Sequence, residues 1–383
     1  MNTRDLFLSL LRCAMGDGEA LSKAKESLDS GSIATLFKVS KAHDMAHMVQ
    51  HAIETCGAQV EGEVGELFKK EKESAVLRYE MIKADLAEIC HCFDREGIDY
   101  VPLKGAVLRQ LYPEPWMRTS CDIDVLVKES DLERATKALV KNCAYTTDYK
   151  KTYHDISLFS PFGMHLELHH NIKEDTEKYD KILTRVWEFS QKEGENTSKH
   201  LLTPEYLMLH LICHMAYHFA GGGCGVRSVL DVWLLSKSGV DEALLLPLLN
   251  EAGLLRFYRL TQELGDYWFG SRTKADTVLL EMEKFILLGG VYGTRKQGAA
   301  VKQVAKGGKG KYFWSRIFMP YRDLVILYPV LKKHKILTPF CQIRRWFGAI
   351  FKRKRIVNEI KNVQSVTTEV AEQTKWLLTQ LEI

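Results

Sequence analysis

Apolar positions recur at spacings of three and four over 5–13, 33–38, 45–55 and about 63–96, with polar breaks such as Asp29-Ser30-Gly31 between them. That periodicity predicts an N-terminal helical region. From residue 97 the period shortens. The run 99–103 reads as a strand, 105–112 as a turn of helix, and Asp122-Ile123-Asp124-Val125-Leu126-Val127 as a strand that sends Ile123 and Val125 into a core. A helix is expected over 130–141, and strands over 143–149, 153–160 and 164–170. Runs of strands with one or two intervening helices predict an α+β fold whose mixed β-sheet is covered mainly on one face. Beyond 200 the helical period returns. There Thr203 suits an N-cap, Pro204 the first helical position, and Glu205 the positive end of the helix dipole. A closing amphipathic helix is predicted over 358–381. The expected organisation is therefore a helical region 1–96, a sheet core 97–200, a helical domain 201–290 and a helical region 291–383.

Composition adds a location and a charge asymmetry. At 383 residues and 46% hydrophobic, the chain is long enough for two or three domains with ample cores. No run approaches the roughly eighteen apolar residues of a membrane span, and the N-terminus lacks a signal-peptide cleavage pattern, so a cytoplasmic protein is expected. The nine cysteines include no C-x2-C pair and read as reduced thiols. Cys90-His91-Cys92 falls on a long helix, where neighbouring side chains diverge, which argues against zinc there. Between residues 291 and 358 there are seventeen Lys or Arg and one acid, Asp323, so this stretch carries +16 and the rest of the chain −12. Such a bias implies an anionic partner. Aromatics interleave with the basic residues in KYFWSRIFMPYRD and IRRWFGAIFKRKR, which suits either nucleic acid or an anionic membrane surface. The competing reading is a basic extension neutralised by the acidic body of the same chain.

The candidate chemistry lies in the sheet core. Alternate side chains of a strand share a face, so Asp122 and Asp124 project together, and two like charges held that close need a cation. The segment MHLELHH alternates in the same way and presents Glu167 as a third acid. Upstream, Gly105 after Lys104 lets backbone amides approach a phosphate. The loop between Pro113 and Cys121 is stiffened by two prolines and carries Trp116 and Arg118; that guanidinium suits phosphate bidentately, or it pairs with the acids. On the helix opening at Thr203, His210, His214 and His218 span about 80° of the circumference. Arg227 and Asp231 stand one turn apart on the next helix. Two readings are open: a buried polar seam in which Arg227 pairs with Asp231, or a face that closes over the carboxylates and binds substrate. A zinc site from the three histidines is a weaker third. His43-Asp44 with His47 and His51 invites a metal-dependent phosphohydrolase reading, which we reject because no further ligands are evident.

Together these residues form a pattern. A glycine motif, an acid-x-acid strand and a later single-acid strand resemble the nucleotidyltransferase superfamily that includes DNA polymerase β and aminoglycoside nucleotidyltransferases. The likeness narrows to a bacterial group of largely uncharacterised nucleotidyltransferases, the NTP_transf_5-like proteins, through Leu103-Lys104-Gly105, Arg118, Asp122-Ile123-Asp124 and Glu167-Leu168-His169. The TPE helix with its H-x3-H-x3-H and the Arg227-x3-Asp231 pair also resemble that group. The resemblance spans roughly 35–235. The chain departs from most nucleotidyltransferases in having Lys104-Gly105 where they have Gly-Ser, and in a longer gap from there to the first Asp.

The resemblance implies a nucleotidyltransferase-fold mixed-sheet core flanked by N-terminal and C-terminal helical regions. It further implies transfer of a nucleoside monophosphate from an NTP to an acceptor. Asp122, Asp124 and Glu167 would be catalytic and hold Mg²⁺ or Mn²⁺. Lys104, Gly105, Arg118 and Ser120 would bind the nucleotide, and His169, His210, His214, His218, Arg227 and Asp231 would lie on the substrate side. Related folds with the same acids also transfer phosphocholine-like groups. The non-enzymatic alternative is a regulatory module that binds nucleotide or nucleic acid on the same fold.

Overall fold

The computed structural model describes residues 1–20, 33–174, 176–350 and 365–383. The Asp29-Ser30-Gly31 break, the end of the basic stretch (351–358) and the start of the predicted last helix (358–364) lie outside the described residues. The N-terminal region is helical as its periodicity predicts: α1 (Thr3–Ala14), α2 (Ile33–Ala42), α3 (Ala46–Thr55) and α4 (Gly62–Glu96). The last of these runs for 35 residues, about 50 Å at 1.5 Å per residue. It ends where Gly97 turns left-handed (φ 61°) and the Ile98 amide bonds back to the Phe93 carbonyl at 2.9 Å.

The sheet core follows, with β1 (Tyr100–Pro102), α5 (Gly105–Leu108), β2 (Asp122–Val127), α6 (Leu132–Asn142), β3 (Asp155–Phe159) and β4 (His165–His169). The strands lie in the order β1-β2-β4-β3, with β2 and β4 parallel and the other two pairings antiparallel. Ile123, Val125, Val127, Leu166 and Leu168 all point to one face, where they pack with Ile89, Phe93, Ala135 and Leu139 of α4 and α6. The fold is therefore α+β, but the sheet is not covered mainly on one face: Val101 and Leu126 on the opposite face pack into the larger helical core, beside the acids of β2 and β4.

Three further expectations need correction. No strand forms over 143–149. Ala144 and Tyr149 adopt positive φ (54° and 56°), which breaks the ladder and leaves only an isolated bridge from Thr146 to Phe159. The helix expected over 105–112 is α5 alone, followed by a separate tighter turn at Arg109–Leu111. A two-stranded ribbon not foreseen, β5 (Ser190–Lys192) with β6 (His200–Leu202), extends the edge of β1 through a Tyr100–Lys199 bridge.

Between the sheet and the ribbon lies α7 (Glu177–Leu183). The helical remainder comprises α8 (Pro204–Gly221), α9 (Val226–Ser236), α10 (Glu242–Glu251), α11 (Leu255–Phe269), α12 (Thr277–Gly289), α13 (Arg295–Ala305), α14 (Lys309–Ile317), α15 (Tyr321–Leu327), α16 (Thr338–Ile350) and α17 (Thr368–Leu381). Thr203 does cap α8, accepting from the Tyr206 amide. α8 is buried nearly all round, so its leucines and methionines meet helices on several sides. One continuous core joins it to α1, α3, α9, α11 and α12, with Phe7, Met48, Tyr206, Leu230, Phe257 and Trp268 among its members. Phe68 of α4 enters this core while Ile89 and Phe93 enter the sheet core, so a single helix belongs to both. No described helix is long and apolar enough to cross a membrane.

Candidate active site

The parallel register of β2 and β4 sets Asp122 opposite His165 and Asp124 opposite Glu167. Since alternate residues share a face, all four side chains stand on the sheet face that α4 and α6 leave uncovered, together with His169. Ligand atoms of Asp122, His165 and Glu167 lie within 4.8 Å of one another, and so do those of Asp124, Glu167 and His169. Glu167 is common to both groups. Glu167 thus stands with each aspartate in turn, while Asp122 and Asp124 fall in separate groups.

Their environments differ. Burial, and then the negative charges of Asp124 and Glu167, push the Asp122 carboxyl up. Burial acts the same way on Asp124, but the Lys104 ammonium (3.4 Å) and the His169 imidazole (2.9 Å to Nε2) outweigh it and hold that carboxyl far below the usual range. His169 also reaches Glu167 at 3.4 Å. Burial alone would lower its pKa; the bonds to the two carboxylates raise it to about 9. The ring of His154 stacks on its far side, 5.4 Å between centroids. Each group offers two carboxylates and an imidazole, a donor set that can hold a divalent cation.

Lys104 reaches Asp124 from an unusual backbone. It sits at φ 40°, ψ −108°, a conformation side chains rarely adopt, immediately before Gly105. Gly105 is needed for space rather than for its dihedrals. A Cβ there would stand 2.8 Å from Nη1 of Arg118 and 3.3 Å from the Ser120 hydroxyl. Arg109, buried beneath, donates to the Gly105 carbonyl and, at 3.4 Å, to Ser120, while Ser120 donates to the Asp122 carbonyl at 2.9 Å.

The cationic partners are not those that helical spacing suggested. Arg227 and Asp231 do not pair. Asp231 accepts from Arg118 (Nη2, 2.9 Å; Nε, 3.4 Å) and from the Tyr112 hydroxyl (2.8 Å). Arg227 instead reaches Asp44 at 3.0 Å and the Thr119 carbonyl and hydroxyl at 2.8 and 2.9 Å. Both pairs tie α9 to the 113–121 loop, and the second also ties it to the turn between α2 and α3. Arg118 thus pairs with an acid from another element rather than with the carboxylates of β2.

On α8, His214 Nδ1 bonds Glu174 at 2.7 Å, and the His218 ring meets His214 edge-on at 4.4 Å. Burial and then the Lys104 charge depress His214, and the same two causes lower His210 to about 3. Burial followed by the charge of His214 lowers His218 to about 4. Glu174 is the converse case: burial is overcome by His214, which holds it at about 2. The histidine face is near enough to Lys104 and Asp124 for their charges to act on it. Among the described residues, no cluster of metal-ligating atoms includes the three histidines or Cys90-His91-Cys92. His43 and His47 bond the carbonyls of Leu287 (3.2 Å) and Met117 (2.7 Å), as packed histidines do.

Several participants escaped the sequence reading. Asp44 drew notice only beside His43, as a metal ligand, whereas it anchors Arg227. Glu174, Arg109 and His154 had no signal, since each acquires its partner only through the fold.

Comparisons with curated proteins and with solved structures find no match. A family model described as uncharacterised nucleotidyltransferase matches residues 29–270, more than half of the chain, from α2 beyond the end of α11. The matched span contains every residue of the site just described, and the chain belongs to this nucleotidyltransferase family.

Proposed function

We propose that the chain is a metal-dependent cytoplasmic enzyme that transfers a nucleoside monophosphate from an NTP to an acceptor, releasing pyrophosphate. The observation that carries this reading is the convergence of Asp122, Asp124 and Glu167 on one sheet face, with Glu167 shared between two ligand groups. Those three would hold Mg²⁺ or Mn²⁺. When bound, a divalent ion supplies positive charge to the phosphate oxygens. The acceptor oxygen attacks the α-phosphorus, the bond to the α,β-bridging oxygen breaks, and pyrophosphate leaves with the bonding electrons. Glu167 would complete the metal site or help remove the acceptor proton. Lys104 adds charge beside Asp124, while Gly105, Ser120 and Arg118 form the phosphate-side wall. His169 orients Asp124 and Glu167. His210, His214, His218, Arg227 and Asp231 form the substrate-side face, with Glu174 fixing the His214 ring. Nine cysteines free of disulfides support the cytoplasmic placement.

The test is pyrophosphate release from each NTP with and without Mg²⁺, using wild type and Asp124→Asn, alongside calorimetric titration of Mg²⁺-ATP and Mg²⁺-GTP. Metal-dependent turnover lost in the variant supports the proposal. Nucleotide retained without metal and without turnover would replace it with the non-catalytic binding module.

A further inference from the structure

Residues 291–350 lie beyond the family match and carry thirteen Lys or Arg against one acid. Within them α14, α15 and α16 form a small unit with its own core of Leu324, Leu331 and Cys341. Its parts are fastened together by polar bonds. Trp346 Nε1 donates to the Ile317 carbonyl at 2.7 Å, and Tyr321 donates to the Leu331 carbonyl at 2.7 Å. Phe318 stacks on Trp314 at 5.7 Å and meets Trp346 edge-on at 5.5 Å, so the aromatic residues of α14 and α16 share one surface.

That surface is open. Trp314 is 59% exposed, Phe340 64% and Ile336 88%, and Phe347, Leu327 and Val330 are exposed as well. Lys332, Lys333 and Lys335 are also exposed, on the turn that carries Ile336. Exposed apolar and aromatic side chains in one basic unit have few suitable partners. A second copy of this chain would bring like charge against like. Nucleic acid would use the rings for stacking, but gains nothing from exposed Leu327, Val330 and Ile336. An anionic lipid interface accommodates all of these groups: rings at headgroup depth, aliphatic side chains below them, ammonium groups on the lipid charge.

We propose that the face formed by α14 to α16 docks this protein on the surface of an anionic bilayer. Docking is peripheral, since no described helix is long and apolar enough to cross. The inference is independent of the transfer chemistry, because every residue in it is remote in sequence from the carboxylate site.

The experiment is flotation of the full chain with vesicles of phosphatidylcholine alone or mixed with phosphatidylglycerol, at low and high salt, with an RNA gel shift in parallel. Wild type should float with the phosphatidylglycerol vesicles at low salt only. Replacing Lys332, Lys333 and Lys335 together by Ala should lower partitioning on the order of 100-fold. Trp314→Ser should also weaken it, with the melting temperature unchanged for either variant. If a variant unfolds, quenching of wild-type tryptophan by brominated lipid decides: quenching supports docking, and its absence overturns it. Wild type that stays unbound to anionic vesicles at low salt, or that binds RNA and not vesicles, also overturns the proposal.

Discussion

Asp231→Leu should unfold part of the protein's stability through Arg118 rather than through its helical neighbour Arg227. The side chains of Arg118 and Asp231 are only 10% and 6% exposed. Removing the carboxylate leaves a guanidinium buried without its counter-charge, a loss of about 3–5 kcal/mol, and deprives the Tyr112 hydroxyl of its acceptor, about 1 kcal/mol more. Arg118→Met alone should cost a similar amount, for the mirrored reason. Combined, the two substitutions leave neither charge stranded, so the double variant should lose far less than the sum, with a coupling of about 2–4 kcal/mol. The same cycle on Arg227 and Asp231 should give a coupling within about 0.5 kcal/mol, because each has a different partner. Urea denaturation followed by circular dichroism measures all the corners. Additive effects at 118 and 231, or a coupling at 227 and 231 of equal size, would refute the wiring described above.

Other perturbations report on the site itself. Asp124→Asn removes the charge that Lys104 and His169 share at nearly constant volume, and should lower Mg²⁺-dependent pyrophosphate release on the order of 10³-fold while circular dichroism stays unchanged. Gly105→Ala puts a methyl group 2.8 Å from Arg118 Nη1, so calorimetric affinity for Mg²⁺-NTP should fall roughly tenfold or more. Acid should destabilise the protein through His210, whose folded pKa of about 3 lies below the ordinary 6.5. The unfolded chain then binds the proton first, so stability present above pH 6.5 is lost as pH falls toward about 3, at up to about 1.4 kcal/mol per pH unit. His210→Asn should flatten the melting-temperature profile in that window; an unaltered slope would rule out the histidine as its source.

What could be read from the sequence was whatever one element determines alone. β2 spans Asp122–Val127 as its alternation predicts, because a slip of one residue would exchange Ile123 and Val125 with the aspartates between the two faces. The helix opening at Thr203 was legible from its cap, and Glu167 from the alternation of MHLELHH. What failed depended on more than one element. The 143–149 strand had suitable residues, but the backbone turns left-handed at Ala144 and Tyr149, and no propensity scale records that. Arg227 and Asp231 are one helical turn apart, yet Asp44 and Arg118 offer better-placed partners from elements far away in sequence. Arg109 and Glu174 were invisible for the same reason.

Position 104 sets durability against chemistry. A lysine at φ 40°, ψ −108° costs about 1–3 kcal/mol that glycine would not. This chain keeps the lysine, and its ammonium stands beside Asp124. Selection for thermal endurance alone would install Lys104→Gly, relaxing the backbone while removing the cation. A library of this protein sorted by heat resistance should therefore enrich a variant that is sturdier and, on the role proposed for Lys104, poorer in nucleotidyl transfer.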